Sequence, residues 1–334
     1  MKQRTHTWLA IRAIALLEDS GDTPDLVKLL KPYSKSAAIG SWIPDLVDSR
    51  LGFGDIDNHI FKLKPYNGPG GERFVKNKTK TFKSLGPHRK IVKFIKEWGS
   101  DLDEAWWAAP YKADPAPGQH LANKAMSLAS TLTDQLILGD TKLAALVPGQ
   151  VRFASNLSPE ARTRREEVAT YFFMLSHFVA DACQPCHCDA RRAFGYSKGL
   201  HKEMEQHWDR YMGIYFDKKK LLVCTESANK VLEQARAVDE KIKVTFDNKV
   251  PKLKEKDTWL EVLGLCRASF AVASILVPKS NIAYSSSALT TFKKVFKGPD
   301  VDEAFLPAVD AAVLHDAVLN IAIVWKAIWA RFDR

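Results

Sequence analysis

The chain has 334 residues, of which 46% are hydrophobic and 26% charged, and its formal net charge is +10. This hydrophobic content with mixed charge excludes a disordered chain and suffices for a sizeable core. The longest apolar stretch, 317–325, is bounded by Asp316 and Lys326, so we expect a core helix there and no transmembrane span.

Apolar residues recur at steps of three and four along most of the chain, whereas the alternation typical of strands is scarce. This periodicity predicts an all-α fold. We find no repeat or linker that divides the sequence, so we expect residues 1–334 to form a single domain. The predicted helices cover 5–18, 89–98, 120–138, 159–183, 199–213, 226–242, 258–275 and 302–331.

The N-terminal segment has some features of a signal peptide. Lys2 and Arg4 precede an apolar run, but Arg12 interrupts this run and no small-residue cleavage motif follows. The sequence leaves three possibilities for localisation: the cytoplasm, export by another route, or a natural leader that the starting Met1 replaces.

Residues 62–90 carry nine Lys or Arg against a single acid, Glu72, together with the sequence Gly-Pro-Gly-Gly. This composition predicts an exposed basic loop inserted into the helical domain. Such a loop either attracts an anionic partner, which would be a phospholipid membrane surface or nucleic acid, or is simply solvated.

Two pairs of metal-binding residue types occur at helical spacing. His177 and Asp181 are four residues apart in an apolar helix, and His201 and Glu205 repeat this spacing in the next helix. Residues at this spacing share one helix face, and a buried carboxylate needs a cation or a donor as its partner. The two pairs therefore indicate a metal cluster.

The region after the first pair combines a helix stop with several cysteines. Pro185 ends the helix, so we expect His187 to turn away from the helix axis and to face a different ion. The chain has five cysteines, an odd number that argues against a complete disulfide framework. The thiols of Cys183, Cys186 and Cys188 either join the metal site or are buried beside it, and we favour burial.

These residues resemble the ligand run of the bacterial zinc-dependent phospholipase C family, whose relatives are the fungal single-strand-specific nucleases. The sequence His6-Thr-Trp8 is similar to the His-x-Trp helix near the start of that family, whose members are mostly secreted. Asp45 and His59 stand where the family has an Asp and a His. The residues that carry the resemblance later in the chain are His177, Asp181, His187, His201 and Glu205.

The resemblance implies a phospholipase C/nuclease-like fold and a trinuclear Zn²⁺ cluster. The first ion would be bound by Asp45, His59, His177 and Asp181. The second ion would be bound by His187, His201 and Glu205. The third would be bound by His6, by the main-chain amine and carbonyl of Met1, and by Asp181 as a bridge. An α-amino group can serve as a neutral ligand near pH 7.

The resemblance also implies phosphodiester hydrolysis by water. Asp45, at the edge of the cluster, is the residue that we expect to orient or deprotonate this water. Asp48 is a second candidate, although an Asp at such a position more often caps a helix or forms a salt bridge, for example with Arg50. Arg50 would contact phosphate or, more simply, form a surface ion pair.

The substrate class follows from the branch of the family that the chain resembles more. The step of 14 residues from His187 to His201 (201 − 187) and the final Glu205 resemble the phospholipase branch. We therefore expect hydrolysis of phospholipids to diacylglycerol and a phosphorylated head group. The alternatives are a nuclease or nucleotidase on the same cluster, and an inactive zinc-stabilised binding protein. Lys62 would suit an acidic head group or a polynucleotide.

The remaining residues of interest have simpler interpretations. We expect structural or exposed roles for four further histidines: His88, His120, His207 and His315. Three tryptophans would line a substrate pocket or rest on lipid, or, by default, pack in the core: Trp42, Trp106 and Trp107.

Overall fold

The computed structural model gives the placement of the helices that carry the predicted ligands. The structure describes residues 1–46, 59–64, 90–98, 109–110, 120–138, 159–189, 200–212, 227–253, 258–276 and 305–332. Most of the predicted basic loop, residues 65–89, lies outside the described residues.

In the described part of the chain the fold is all-α, as the periodicity predicts, and each predicted helix is present within a few residues of its expected ends. The helices are α1 (Gln3–Ser20), α2 (Pro24–Leu30), α3 (Ala37–Gly40), α4 (Lys90–Trp98), α5 (Leu121–Leu138), α6 (Pro159–Ala182), α7 (Pro185–Cys188), α8 (Leu200–Tyr211), α9 (Ala228–Lys241), α10 (Thr258–Leu276) and α11 (Phe305–Phe332). A 3-10 turn at Lys31–Tyr33 joins α2 to α3.

Helix α1 lies in the interior of the fold. Its residues from Thr5 to Leu17 are all buried, and it packs against α11, α9, α6 and α3. Gly21 ends the helix in the left-handed conformation, with a φ of 65°, which glycine adopts without the steric cost of a Cβ atom. A polar side chain on α1, such as that of His6, is therefore held inside the protein.

Two helices are long and apolar enough to cross a membrane, judged by length and composition alone. They are Thr258–Leu276 and Pro307–Arg331, and 78% and 89% of their most apolar windows are buried within the fold. The expectation that no apolar stretch reaches this length is wrong, because a few isolated charges do not interrupt so long a helix. Burial of this extent is typical of core helices, as expected for 317–325.

The long helix α6 ends just before Pro185, as predicted. Cys183 and Gln184 separate α6 from α7, and the side chain of Gln184 accepts a hydrogen bond from the main-chain N–H of Cys186 at 3.4 Å. Proline is favourable at the start of α7, because that position has no intrahelical acceptor for an N–H group. The break turns His187 away from the axis of α6.

Residues 59–63 run beside residues 187–189 and join two histidine-bearing segments. The main-chain N–H of Phe61 donates to the carbonyl of His187 at 3.1 Å, and Leu63 forms a parallel bridge with Asp189. Two short strands, β1 (Leu63–Lys64) and β2 (Ala109–Pro110), pair antiparallel. Main-chain pairing thus places His59 next to His187.

Candidate metal centre

Helix α6 presents His177 and Asp181 on one buried face, as their spacing predicts. Their side chains are 0% and 1% exposed, and Nε2 of His177 lies 3.1 Å from Oδ2 of Asp181. The same carboxylate oxygen lies 3.3 Å from Nδ1 of His59. Asp181 is therefore surrounded by nitrogen atoms in the interior of the protein.

A main-chain contact fixes the orientation of the His177 ring. Its Nδ1 donates to the carbonyl of Ser41 at 2.8 Å, which directs Nε2 toward the centre, 2.9 Å from Nδ1 of His59. Such a hydrogen bond sets the tautomer of a metal-binding histidine. Asp45 lies on the outer side, with Oδ1 3.6 Å from Nε2 of His177 and a side chain that is 30% exposed.

The second set of predicted ligands joins α7 to α8. Nδ1 of His187 donates to the carbonyl of His59 at 2.7 Å, and its Nε2 lies 2.9 Å from Nε2 of His201. Oε1 of Glu205 is 2.7 Å from Nε2 of His201 and 3.5 Å from Nε2 of His187. The break at Pro185 therefore allows His187 to face α8.

The N-terminus enters the same centre. The α-amino nitrogen of Met1 is buried, 3.2 Å from Oδ1 of Asp181 and 2.9 Å from Oε1 of Glu205. Burial opposes the positive charge, but the two carboxylates outweigh burial and raise the pKa of the amine from 8.0 to about 11. The amine thus connects the two helices that carry these carboxylates.

His6 has the clearest unsatisfied binding capacity in the centre. Both ring nitrogens are buried, and neither has a hydrogen-bond partner among the described residues. The ring stacks on His177 at 3.9 Å between centroids, and Nε2 lies 3.5 Å from Oδ1 of Asp181. Buried polar atoms are normally satisfied, so an orphaned imidazole beside a carboxylate fits a metal ligand.

The protonation states of the side chains favour metal binding, whereas the Met1 amine, with its raised pKa, is an ammonium in the metal-free protein and must lose its proton to bind an ion. Burial lowers the pKa of the His6, His187 and His201 rings, the last to about 4, so these rings are neutral near pH 7 and offer a lone pair. Burial alone would raise the pKa of the Asp181 and Glu205 carboxyls. The histidine rings and the Met1 ammonium outweigh it and hold both pKa values well below their usual range.

The ligand atoms form three groups, and within each group they all lie within 4.8 Å of one another. The groups are His6, Asp45 and His177; His59, His177 and Asp181; and His187, His201 and Glu205. These groups can hold metal ions, and their imidazole and carboxylate donors are ligands that zinc accepts. The resemblance implies that Asp45 shares an ion with His59. Asp45 Oδ1 is 3.7 Å from Nδ1 of His59, but the group that contains Asp45 is completed by His6 and His177 and does not include His59.

The described histidines that we expected to be structural have other partners. Nδ1 of His120 accepts from Asn123 N at the start of α5, at 3.3 Å. His207 and His315 each contact an aspartate of α11, at 2.7 and 3.0 Å. Further predictions fall on residues outside the described ones: the structural His88, the alternative base Asp48, the phosphate or ion-pair residue Arg50, and the aromatic pair Trp106 and Trp107. The half-buried Trp42 lies 6.3 Å from the His6 ring.

The cysteines and Lys62 belong to the packing behind the centre. No disulfide joins the described cysteines Cys183, Cys186, Cys188 and Cys266, which are all buried. Burial raises the pKa of the Cys186 and Cys188 thiols, so they remain protonated. The ammonium of Lys62 donates to the carbonyl of Cys186, a contact that directs it to the protein and not to a substrate.

No protein-family model, curated protein or solved structure matches the chain. A functional assignment therefore rests on the geometry of the centre and on the ligand spacing.

Two groups that contribute to the geometry of the centre were not predicted from the sequence. The Ser41 carbonyl has no signal in a side-chain pattern. Lys2, whose ammonium lies 3.7 Å from Oε2 of Glu205 and whose side chain is 29% exposed, follows directly on the predicted ligand Met1.

Proposed function

We propose that this protein is a zinc-dependent phosphoric diester hydrolase of the phospholipase C type. It hydrolyses phospholipids to diacylglycerol and a phosphorylated head group. The observation that carries the proposal is the convergence of three His/Asp/Glu groups in one buried centre, with a partly exposed carboxylate, Asp45, at its edge. The ligand spacing that resembles the phospholipase C family gives the reaction class.

The ligand atoms divide into three proposed zinc sites. The first set is Asp45, His59, His177 and Asp181. The second set is His187, His201 and Glu205. The third set is His6 and the main chain of Met1, with Asp181 as a bridge. The two contacts of the buried Met1 nitrogen, with Asp181 and Glu205, support the assignment of the amine to this cluster.

When bound, zinc supplies Lewis acidity that activates water and neutralises phosphate charge. Asp45 accepts the proton of the attacking water, because its side chain is 30% exposed, whereas those of Asp181 and Glu205 are 1% and 5% exposed. The water oxygen forms a bond to phosphorus, the bond from phosphorus to the glycerol oxygen breaks, and that oxygen takes up the proton that Asp45 accepted. The products are diacylglycerol and the phosphorylated head group.

The cationic rim of the centre, which is the ammonium of Lys2, favours an anionic substrate. Lys2 places a partly exposed ammonium next to Glu205. The net charge of +10 draws the whole chain toward polyanionic surfaces. A phospholipid bilayer with anionic head groups is a partner of this kind.

The test is hydrolysis by the zinc-loaded protein of vesicles that contain phosphatidylcholine, phosphatidylinositol or phosphatidylglycerol, with single-stranded DNA in parallel. We expect release of diacylglycerol, its loss on chelation, and at least about a hundredfold lower rate in Asp45→Asn. Zinc content is measured on the same samples, because Asn retains an oxygen ligand and an effect on catalysis must be separated from loss of metal.

Two other outcomes of this test would replace the proposed function with a different one. Cleavage of DNA without cleavage of any lipid would assign the centre to a nuclease or nucleotidase, to which the cationic rim is equally suited. A fully zinc-loaded protein that turns over none of these diesters would be a zinc-stabilised binding protein.

A further inference from the structure

Asp310, in the core helix α11, accepts two side-chain hydrogen bonds from α8. Oδ2 accepts from Nε2 of His207 and Oδ1 accepts from Nε1 of Trp208, each at 2.7 Å. Asp310 is 4% exposed and Trp208 is completely buried. A buried carboxylate with a donor on each oxygen is well satisfied, and it forms a strong contact between the two helices.

This contact acts on the ligand-bearing face of α8. His201, Glu205 and Trp208 are spaced by four and three residues and are all buried, so they lie along one side of the helix. Any rotation or axial shift of α8 that moved Trp208 away from Asp310 would move the two ligands with it. The side chains of the adjacent donors His207 and Trp208 project from the helix in different directions. The carboxylate that binds both therefore restrains rotation as well as axial shift of α8.

The second ligand set is sensitive to such movements. Nε2 of His201 lies 2.9 Å from Nε2 of His187 and 2.7 Å from Oε1 of Glu205, so ligands from α7 and α8 must meet at one point. Zinc accepts these ligands within a few tenths of an ångström of about 2.0–2.2 Å. A helix displaced by half an ångström would lose part of this coordination.

We propose that Asp310 is a positioning residue that holds α8 in register, so that His201 and Glu205 meet His187 around one zinc ion. The inference rests on the proposed zinc centre. It assigns Asp310 no contact with metal or substrate. Its effect falls on the second ligand set, because only this set takes side chains from α8, namely those of His201 and Glu205.

Asp316 provides a matched control on the same helix. Its carboxylate accepts from the main-chain N–H groups of Lys90 and Ile91 at 2.8 and 3.0 Å, and it therefore caps α4. It also lies 3.0 Å from Nδ1 of the neighbouring His315. The residue is 1% exposed. Asp310→Asn and Asp316→Asn thus remove the same charge at equally buried positions, and only the first faces α8.

The experiment is a chelator chase of the fully zinc-loaded chain, in which zinc release is followed with time and the unfolding temperature is recorded for each variant. We expect Asp310→Asn to release one zinc equivalent about tenfold faster than the unsubstituted chain, with the remaining zinc unchanged. Asp316→Asn is expected to lower the unfolding temperature and to leave the release profile unchanged. Equal profiles for the two variants would overturn the inference and leave Asp310 with a purely structural role.

A second substitution covers the case in which Asp310→Asn does not fold. Trp208→Phe removes one donor and retains most of the aromatic volume, and we expect faster release of the same single zinc equivalent. Release of all zinc ions at a uniformly higher rate would overturn the inference. An unsubstituted chain that binds no zinc would contradict the proposed function itself, a result that the first sample of the series reveals.

Discussion

The α-amino nitrogen of Met1 lies 3.2 Å from Oδ1 of Asp181, although 180 residues separate them in sequence. The same nitrogen is 2.9 Å from Oε1 of Glu205. One buried amine therefore connects the first residue of the chain to the carboxylates of α6 and α8. The same amine therefore contributes to the stability of the zinc-free protein and is a proposed ligand of the zinc-loaded protein.

The first prediction concerns the stability of the zinc-free protein at alkaline pH. The pKa of the Met1 amine rises from 8.0 to about 11 on folding. The ammonium therefore stabilises the folded state fully below about pH 8, and this contribution is lost as the pH rises through 11. We expect the unfolding temperature with chelator present to fall across this range. N-terminal acetylation should remove this part of the pH dependence, and identical curves for both proteins would contradict the assignment.

The second prediction concerns the N-terminus as a ligand. A short Gly-Ser extension before Met1 converts the amine into an amide, which has no lone pair to offer a zinc ion. We expect the extended protein to hold about one zinc fewer per chain than the same protein extended at its C-terminus. Equal zinc content in the two proteins would count against a role for Met1.

The third prediction concerns the second ligand set. We expect His201→Ala to remove the zinc ion shared with His187 and Glu205, and to lower the hydrolysis rate by more than about a hundredfold. The control is His120→Asn, because His120 accepts a main-chain N–H at the start of α5 and Asn is a good substitute as that acceptor. Zinc content and initial rate are measured for both, and similar losses in the two variants would contradict the site.

The fourth prediction concerns the cationic rim. Removing the ammonium of Lys2, which lies 3.7 Å from Glu205, should weaken the attraction for anionic substrates. We expect Lys2→Gln to raise the KM for phosphatidylglycerol about three- to tenfold at low salt, with a smaller effect at high salt. Lys28→Gln removes an exposed lysine that pairs with Asp25, and it should leave KM unchanged. The same change in both variants would indicate general attraction by net charge.

The fifth prediction concerns the packing of α3 on α6. A Cβ atom on Gly40 would lie 2.8 Å from Cβ of Phe173, closer than any normal contact. Gly40→Ala should therefore displace α3 and destabilise the protein by about 1–3 kcal/mol. It should also disturb the adjacent Ser41 carbonyl, which orients His177. Ile39→Ala, at a residue that is 50% exposed, is the control and should change the stability little.

Helical periodicity predicted the long helices because their buried faces repeat over many turns. The two-turn helix Pro24–Leu30, the shorter elements Ala37–Gly40 and Pro185–Cys188, and the two-residue strands were not predicted, since seven residues or fewer show too little of a helical period. The expectation about membrane-length segments was wrong at Pro307–Arg331, where isolated charges lie within a long core helix.

Four side chains of the centre could be predicted from spacing, because His177 and Asp181, and likewise His201 and Glu205, lie on one helix face. The resemblance to the phospholipase C family, and not a local pattern, pointed to His6, Asp45 and His59. The groups that orient them could not be predicted. The carbonyl of Ser41 is a main-chain atom without sequence identity, and Asp310 is a single aspartate 102 residues after Trp208. Such contacts depend on how distant helices pack, which local patterns do not specify.

The most direct test of the zinc centre is the anomalous scattering of crystals of the zinc-loaded protein, measured at the zinc absorption edge. We expect about three peaks, one between His187, His201 and Glu205, one beside His59, His177 and Asp181, and one next to His6 and the Met1 nitrogen. A folded protein with no peak within bonding distance of these residues would contradict the account.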